Sequence, residues 1–215
     1  MKDYIEYVLY LHVFSGGIAL TSGLIAIFTK KGQNAHIKSG LIYFWSMFSV
    51  IITGLIVGIY RDNLFLQSIA IFSFYMAFTG KQFLKNKSKI ATMLIDWIIG
   101  IASSIVGLTM LGFGLYFLIK IGFKSLVPML LVFGFLLTWM TLDDLKGLYM
   151  KKFVRGAWLL KHISRMGGSF IATSTAFLLV NTSIEPVWVM WILPTFIGTP
   201  MIVFASRKWK KKLSL

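Results

Sequence analysis

The chain has 215 residues but no cysteine, only three histidines, four prolines and seven acidic residues. Without thiols it can form no disulfide, thiolate nucleophile, Cys-ligated zinc site or iron–sulfur centre. The metal-binding frames H-E-x-x-H, D-x-D and H-x3-H are absent, as is the nucleophile frame G-x-S-x-G. No Pro/Gly/Ser-rich linker or low-complexity tract interrupts the chain, so residues 1–215 are expected to form one domain with no separate soluble unit.

What fills the sequence instead is apolar. Seven stretches are read as membrane spans: Tyr4–Phe28, Ile37–Tyr60, Leu64–Gly80, Ala91–Ile119, Leu126–Leu142, Trp158–Val180 and Val187–Ala205. Most are near the ~20 residues that a helix needs to cross a hydrocarbon core of about 30 Å. The expected fold is therefore all-α, a polytopic bundle of seven transmembrane helices.

The shortage of acid leaves a net charge of +15, and its distribution carries more information than its size. With the N-terminus outside, the inner loops, the tail from Arg207 and the flanking Lys38 and Arg165 hold 18 of the Lys and Arg residues; Lys2, Arg61, Lys120 and Lys124 are the four outside. Basic residues are retained on the cytoplasmic side, which gives an N-out, C-in expectation that an odd number of spans satisfies. Trp97, Trp139, Trp158 and Trp209 fall near the inner boundary and Trp188 and Trp191 near the outer one, as interfacial indoles do; Trp45 alone lies well inside a span. Charge confined to one membrane face points to anionic lipid headgroups as the partner and not to nucleic acid. The expected location is the bacterial cytoplasmic membrane. Asp3 and Glu6 spoil a basic leader, so the first apolar run reads as a span and not as a signal peptide.

Large apolar side chains pack no better on one another than on lipid, so helix contacts are expected at small residues: Gly54-x3-Gly58, Ala19-x3-Gly23 and Gly100-x3-Ser104. Pro194 and Pro200, flanking Gly198, are expected to bend the last span.

Few side chains can carry chemistry. Each histidine has glycine about one turn on: Gly16 and Gly17 after His12, Gly40 after His36, Gly167 and Gly168 after His162. A glycine at that spacing shares the helix face of its histidine and leaves flat space beside the imidazole, for a planar cofactor or a neighbouring helix. His12 sits roughly 10 to 12 Å below the outer surface, at 1.5 Å of rise per residue. His36 and His162 begin spans at the inner face, where Asp96, Asp143, Asp144 and Arg165 also lie. Ionisable groups inside a bundle mark functional sites by default. Two imidazoles with the carboxylate of Asp96 suit zinc or non-haem iron, and two imidazoles alone suit haem b iron. An interfacial cluster, with Asp96 paired to Arg165 or a loop lysine, is the metal-free alternative. His12 has its own metal-free reading, a neutral ring bonded to a hydroxyl or carbonyl on a nearby helix. Asp62 and Glu185, on the outer side, read as loop caps.

The segments LHVFSGGIAL from Leu11, KKGQNAHIKSGLIYFWSM from Lys30 and WLLKHISRMGGSFIATSTAFLLVN from Trp158 resemble an uncharacterised family of bacterial multi-pass membrane proteins, a domain of unknown function. The shared features are His12, His36 with Gly40, and His162 with Gly167 and Gly168. Histidines at helix ends near glycine are also distantly similar to b-type cytochromes. That similarity implies at most one bis-histidine haem, because there is no fourth histidine for a second. The functional expectation is a haem- or metal-binding redox membrane protein. A small-solute or proton-coupled transporter, or an accessory subunit without chemistry, stays open beside it.

Overall fold

A computed structural model of the chain describes residues 2–86, 93–123, 126–150, 156–183 and 188–213. Among them are seven α-helices: α1 (Lys2–Phe28), α2 (Asn34–Tyr60), α3 (Leu64–Gln82), α4 (Leu94–Ile121), α5 (Leu126–Met150), α6 (Ala157–Asn181) and α7 (Trp188–Lys212). One 3-10 turn, Phe83–Asn86, follows α3. Five helices, α1, α2, α4, α5 and α6, are long and apolar enough to cross a membrane. The exposed surface is apolar to match, with Phe14 68%, Trp45 59% and Ile119 84% exposed, while Thr141 and Ser169 are fully buried. A water-soluble protein reverses that arrangement. The chain is a helical membrane protein.

Helix ends follow the expected spans where polarity stops them. The α2–α3 turn comes at Arg61, Asp62 and Asn63, and Asn63 caps α3 by accepting from the Leu66 amide at 3.1 Å. Asp62 is therefore not the cap expected from sequence, and Glu185 lies outside the described residues, as do Ala91 and Val187. The largest differences are at the ends of α5 and α7, which run on to Met150 and Lys212. Hydropathy marks where apolar character ends, whereas a helix continues through the charged residues beyond. α7 is continuous through Pro194 and Pro200.

Packing is by antiparallel neighbours. α1 lies on α2, α4 on α5 and α6 on α7, while α3 touches α2, α4, α5 and α6. Small residues bring these helices together, as dispersion requires where the hydrophobic effect is weak. A Cβ on Gly134 would meet the Leu111 amide nitrogen at 2.9 Å and the Gly107 carbonyl at 3.0 Å, so α4 and α5 touch backbone to backbone. Ser104, paired with Gly100 in the expected small-residue motif, donates to Thr141 across the same seam at 2.7 Å, and Gly100 receives Leu145. Gly54 receives His12 of α1 and Ala70 of α3, Gly58 receives Gln67, and Gly23 receives Phe170. Two apolar clusters result: Phe72, Tyr75, Met76, Met110, Leu130 and Leu137 between α3, α4 and α5, and Ala19, Tyr43, Met47 and Ala77 between α1, α2 and α3.

Candidate functional site

The last carbonyls of a helix have no partner within it, and in an apolar medium side chains must supply one. At the end of α1, the Ala26 carbonyl accepts from Lys31 Nζ at 2.8 Å and from His36 Nδ1 at 3.0 Å. Lys31 Nζ donates to the Ile27 carbonyl as well. Partial loss of water around that ammonium lowers its pKa below the usual lysine value. At the end of α3, the Gly80 carbonyl accepts from His162 Nδ1 at 2.7 Å. Glycine is needed there: a Cβ on residue 80 would meet Met166 Sδ at 2.8 Å and its amide nitrogen at 3.1 Å.

These two bonds have the same form. A carbonyl only accepts, so Nδ1 of each ring carries a proton; in a neutral imidazole of this tautomer the lone pair is on Nε2. The helices bring the two rings together, with centroids 6.5 Å apart and planes at 88°. A backbone carbonyl holding Nδ1–H is also the outer-shell partner that orients a metal-ligating imidazole and fixes its tautomer.

Beside the imidazoles, α6 carries a second polar group. Arg165 NH2 donates to Asp144 Oδ2 at 2.8 Å and to the Met140 carbonyl at 3.3 Å. Tyr75 OH donates to the same Asp144 oxygen at 2.7 Å, and Lys161 Nζ to the other at 2.7 Å. Lys161 also reaches Asp143 at 3.0 Å, but Asp143 is 58% exposed and that pair contributes little. Asp144 and Arg165 are each only 8% exposed by side chain. Among the described residues no Cα of α5 comes within 8 Å of one in α6, so these long side chains span a gap that the backbones leave. Further along α6, Ser169 donates to the Ser73 carbonyl at 3.4 Å and accepts from Tyr43 OH at 2.8 Å.

His12 is separate from both groups. Its Nδ1 lies 2.9 Å from Thr53 Oγ1, whose own proton goes to the Ser49 carbonyl at 2.7 Å, so the imidazole donates. One turn on, Ser15 and Ser49 share a hydroxyl bond of 2.8 Å. His12 thus meets a hydroxyl on the next helix, and packs against Gly54.

The inner layer expected from sequence therefore divides. His36 and His162 come together, Asp144 joins Arg165 and Lys161, and Asp143 meets Lys161 alone. Asp96 joins neither: it accepts from the Met93 amide at 3.0 Å at the start of α4, which packs on α5 and α3 and not on α2 or α6. The expected Asp96–Arg165 pair is replaced by Asp144–Arg165, because the α4–α5 seam turns Asp144 and not Asp96 toward α6. Among the described residues no three His, Asp or Glu side chains gather as a metal site. The glycines differ as well. Nothing lies within 4 Å of a Cβ placed on Gly40, or on Gly16 and Gly17, whereas Gly167 receives Ile202 of α7 and Gly168 receives Met76. Tyr75 and Lys161 are the members that sequence reasoning missed. Tyr75 lies seven residues before the end of α3 and was findable by the same depth count that singled out Asp144.

Removing one member of a buried ion pair strands the other, at a cost of about 3–5 kcal/mol. Asp144→Ala is expected to cost that much in thermal unfolding of detergent-purified protein. Asp96→Ala, which loses only a helix-start bond, is expected to cost about 1 kcal/mol.

No family model matches the chain, and no curated protein or solved structure matches it either.

Proposed function

We propose that this chain is a seven-span protein of the bacterial cytoplasmic membrane, N-terminus out and C-terminus in, whose His36 and His162 would hold a single b-type haem. The observation that carries the reading is the imidazole pair: two rings 6.5 Å apart, each with Nδ1 committed to a helix-end carbonyl. Two imidazoles this close could both bond one metal ion, since metal–nitrogen bonds are about 2 Å. The donor set favours haem over a bare ion. Structural zinc takes four protein ligands and catalytic zinc three, and here the described residues offer two. A haem would need no more than two ligands from the protein, and His36 and His162 would supply them.

In this reading the chain's own residues hold and orient. Ala26 and Gly80 fix the ring planes and keep each Nε2 unprotonated in the neutral imidazole. Gly40 supplies open space one turn from His36, while Ile202 already fills the corresponding space at Gly167. Bound haem would supply one-electron transfer. The spans α3 and α7 are shorter or more polar than the other five; their crossing is supported by the placement of 18 Lys and Arg residues on one side and four on the other. A proton-coupled transporter is the second reading, favoured by the Asp144–Arg165–Tyr75 group buried at membrane depth.

Protein expressed with ample haem and purified in detergent should show a Soret band. His36→Ala and His162→Ala should each abolish it, Gly40→Leu should weaken it by crowding the ring, and Asp96→Ala should leave it unchanged. A colourless wild type would overturn the haem reading and shift the function to the ion cluster.

Orientation has its own test. Alkaline phosphatase, active only outside the cytoplasm, fused after Leu215 should be inactive, and strong activity would reverse the topology.

A further inference from the structure

At the end of the bundle opposite the histidine pair, a partly open cavity of about 410 Å³ separates α3 from the α4–α5 hairpin. That volume lies within the range of small-molecule sites, roughly 300–1,000 Å³. Its apolar depth is formed by Ile71, Met110 and Leu130, with Phe113 and Phe117 beside them. The two phenylalanines are stacked, 6.2 Å apart with planes at 23°.

The polar lining holds one charged side chain, the Asp62 carboxylate, beside the neutral groups of Asn63, Gln67, Ser68 and Thr109. Asp62 contributes a carboxylate that makes no salt bridge or side-chain hydrogen bond among the described residues. Gln67 donates its amide nitrogen to the Gly58 carbonyl at 3.3 Å, which leaves its carbonyl oxygen over. Thr109 gives its proton to the Ile105 carbonyl at 2.8 Å, which leaves lone pairs. A carboxylate and a phenylalanine pair around an apolar pocket are complementary to positive charge on an apolar body, since aromatic faces attract cations. A fatty acid would bring its anion to the Asp62 carboxylate and be repelled.

We infer that this cavity binds lipophilic organic cations, with the positive centre toward Asp62 and the apolar body against Phe113, Phe117 and Met110. The inference is independent of haem. It assigns a ligand to the interface by which the α4–α5 hairpin rests on α3, an interface whose other end is closed by Tyr75 and Asp144.

Equilibrium dialysis of tetraphenylphosphonium against purified full-length protein tests it, with neutral triphenylphosphine oxide as the uncharged probe. Saturable binding of the cation at one site is expected. Asp62→Asn should weaken it at least fivefold and leave the neutral probe unaffected; Asn tolerates the positive φ of 47° found at this position. Thr109→Trp, at an exposed rim position, should exclude both probes. Helical circular dichroism and thermal midpoint confirm that each variant folds. Absence of saturable cation binding to the wild type would overturn the inference, as would equal affinity in Asp62→Asn or undiminished binding in a folded Thr109→Trp.

Discussion

Inside a bilayer a helix end has no water to turn to, so each carbonyl left over by the backbone ladder needs a donor from elsewhere in the protein. The arrangement of the half of this bundle that holds His36 and His162 follows from how that need is met. α1 and α3 both end at that level, and each receives an imidazole Nδ1–H from a helix that starts there, His36 from α2 and His162 from α6. Neutral imidazole can serve as such a cap and still present a lone pair on its second nitrogen. A lysine in the same place would add a charge and no ligand. The residues that close the helix ends are thus the same ones that could hold a metal, and the capping bonds would orient them for it.

α6 carries most of this burden. Successive turns of it meet α3 at Gly80 and Met76, α7 at Ile202, and α1 and α2 through Phe170 and Ser169. Toward α5 the contact is of a different kind, made by Arg165 and Lys161 reaching Asp144 across a gap between backbones. The net stabilisation from such a buried pair is small relative to well-packed apolar side chains, because desolvation offsets the Coulomb attraction. What the pair adds is specificity, since Arg165 without Asp144 would be a stranded charge. The α4–α5 hairpin, with its glycine seam, is then a unit attached to the rest through α3 and this ion pair.

The all-helical architecture was legible in the sequence because the length and apolarity of a helix are properties of single segments. The small-residue pairs were legible for the same reason: Gly54, Gly23 and Gly100 all proved to lie at helix contacts. Depth was legible as well: it puts His36 and His162 on one level, and their rings lie 6.5 Å apart. Azimuth was not. A depth count cannot say which way a side chain faces around its helix, and Asp96 illustrates the cost. It shares the level of the histidines but belongs to a helix that does not touch theirs, and it serves its own helix start. Tyr75 was overlooked because tyrosine in an apolar span reads as packing until a carboxylate is found against its hydroxyl. Gly167 resembles Gly40 in spacing from its histidine, and only the position of α7 distinguishes a filled site from an open one.

The claim on which this account rests is that α2 and α6 present two imidazoles to one another, and the absence of cysteine allows a direct measurement. In a His36→Cys/His162→Cys double variant these are the only thiols, and a short bis-thiol-reactive bridge should join them within one chain in membranes. Ser15→Cys/Ser49→Cys, whose native hydroxyls lie 2.8 Å apart, is the positive control. An intramolecular cross-link between positions 36 and 162 is the predicted result. Failure of that pair to link while the control pair links would contradict the account.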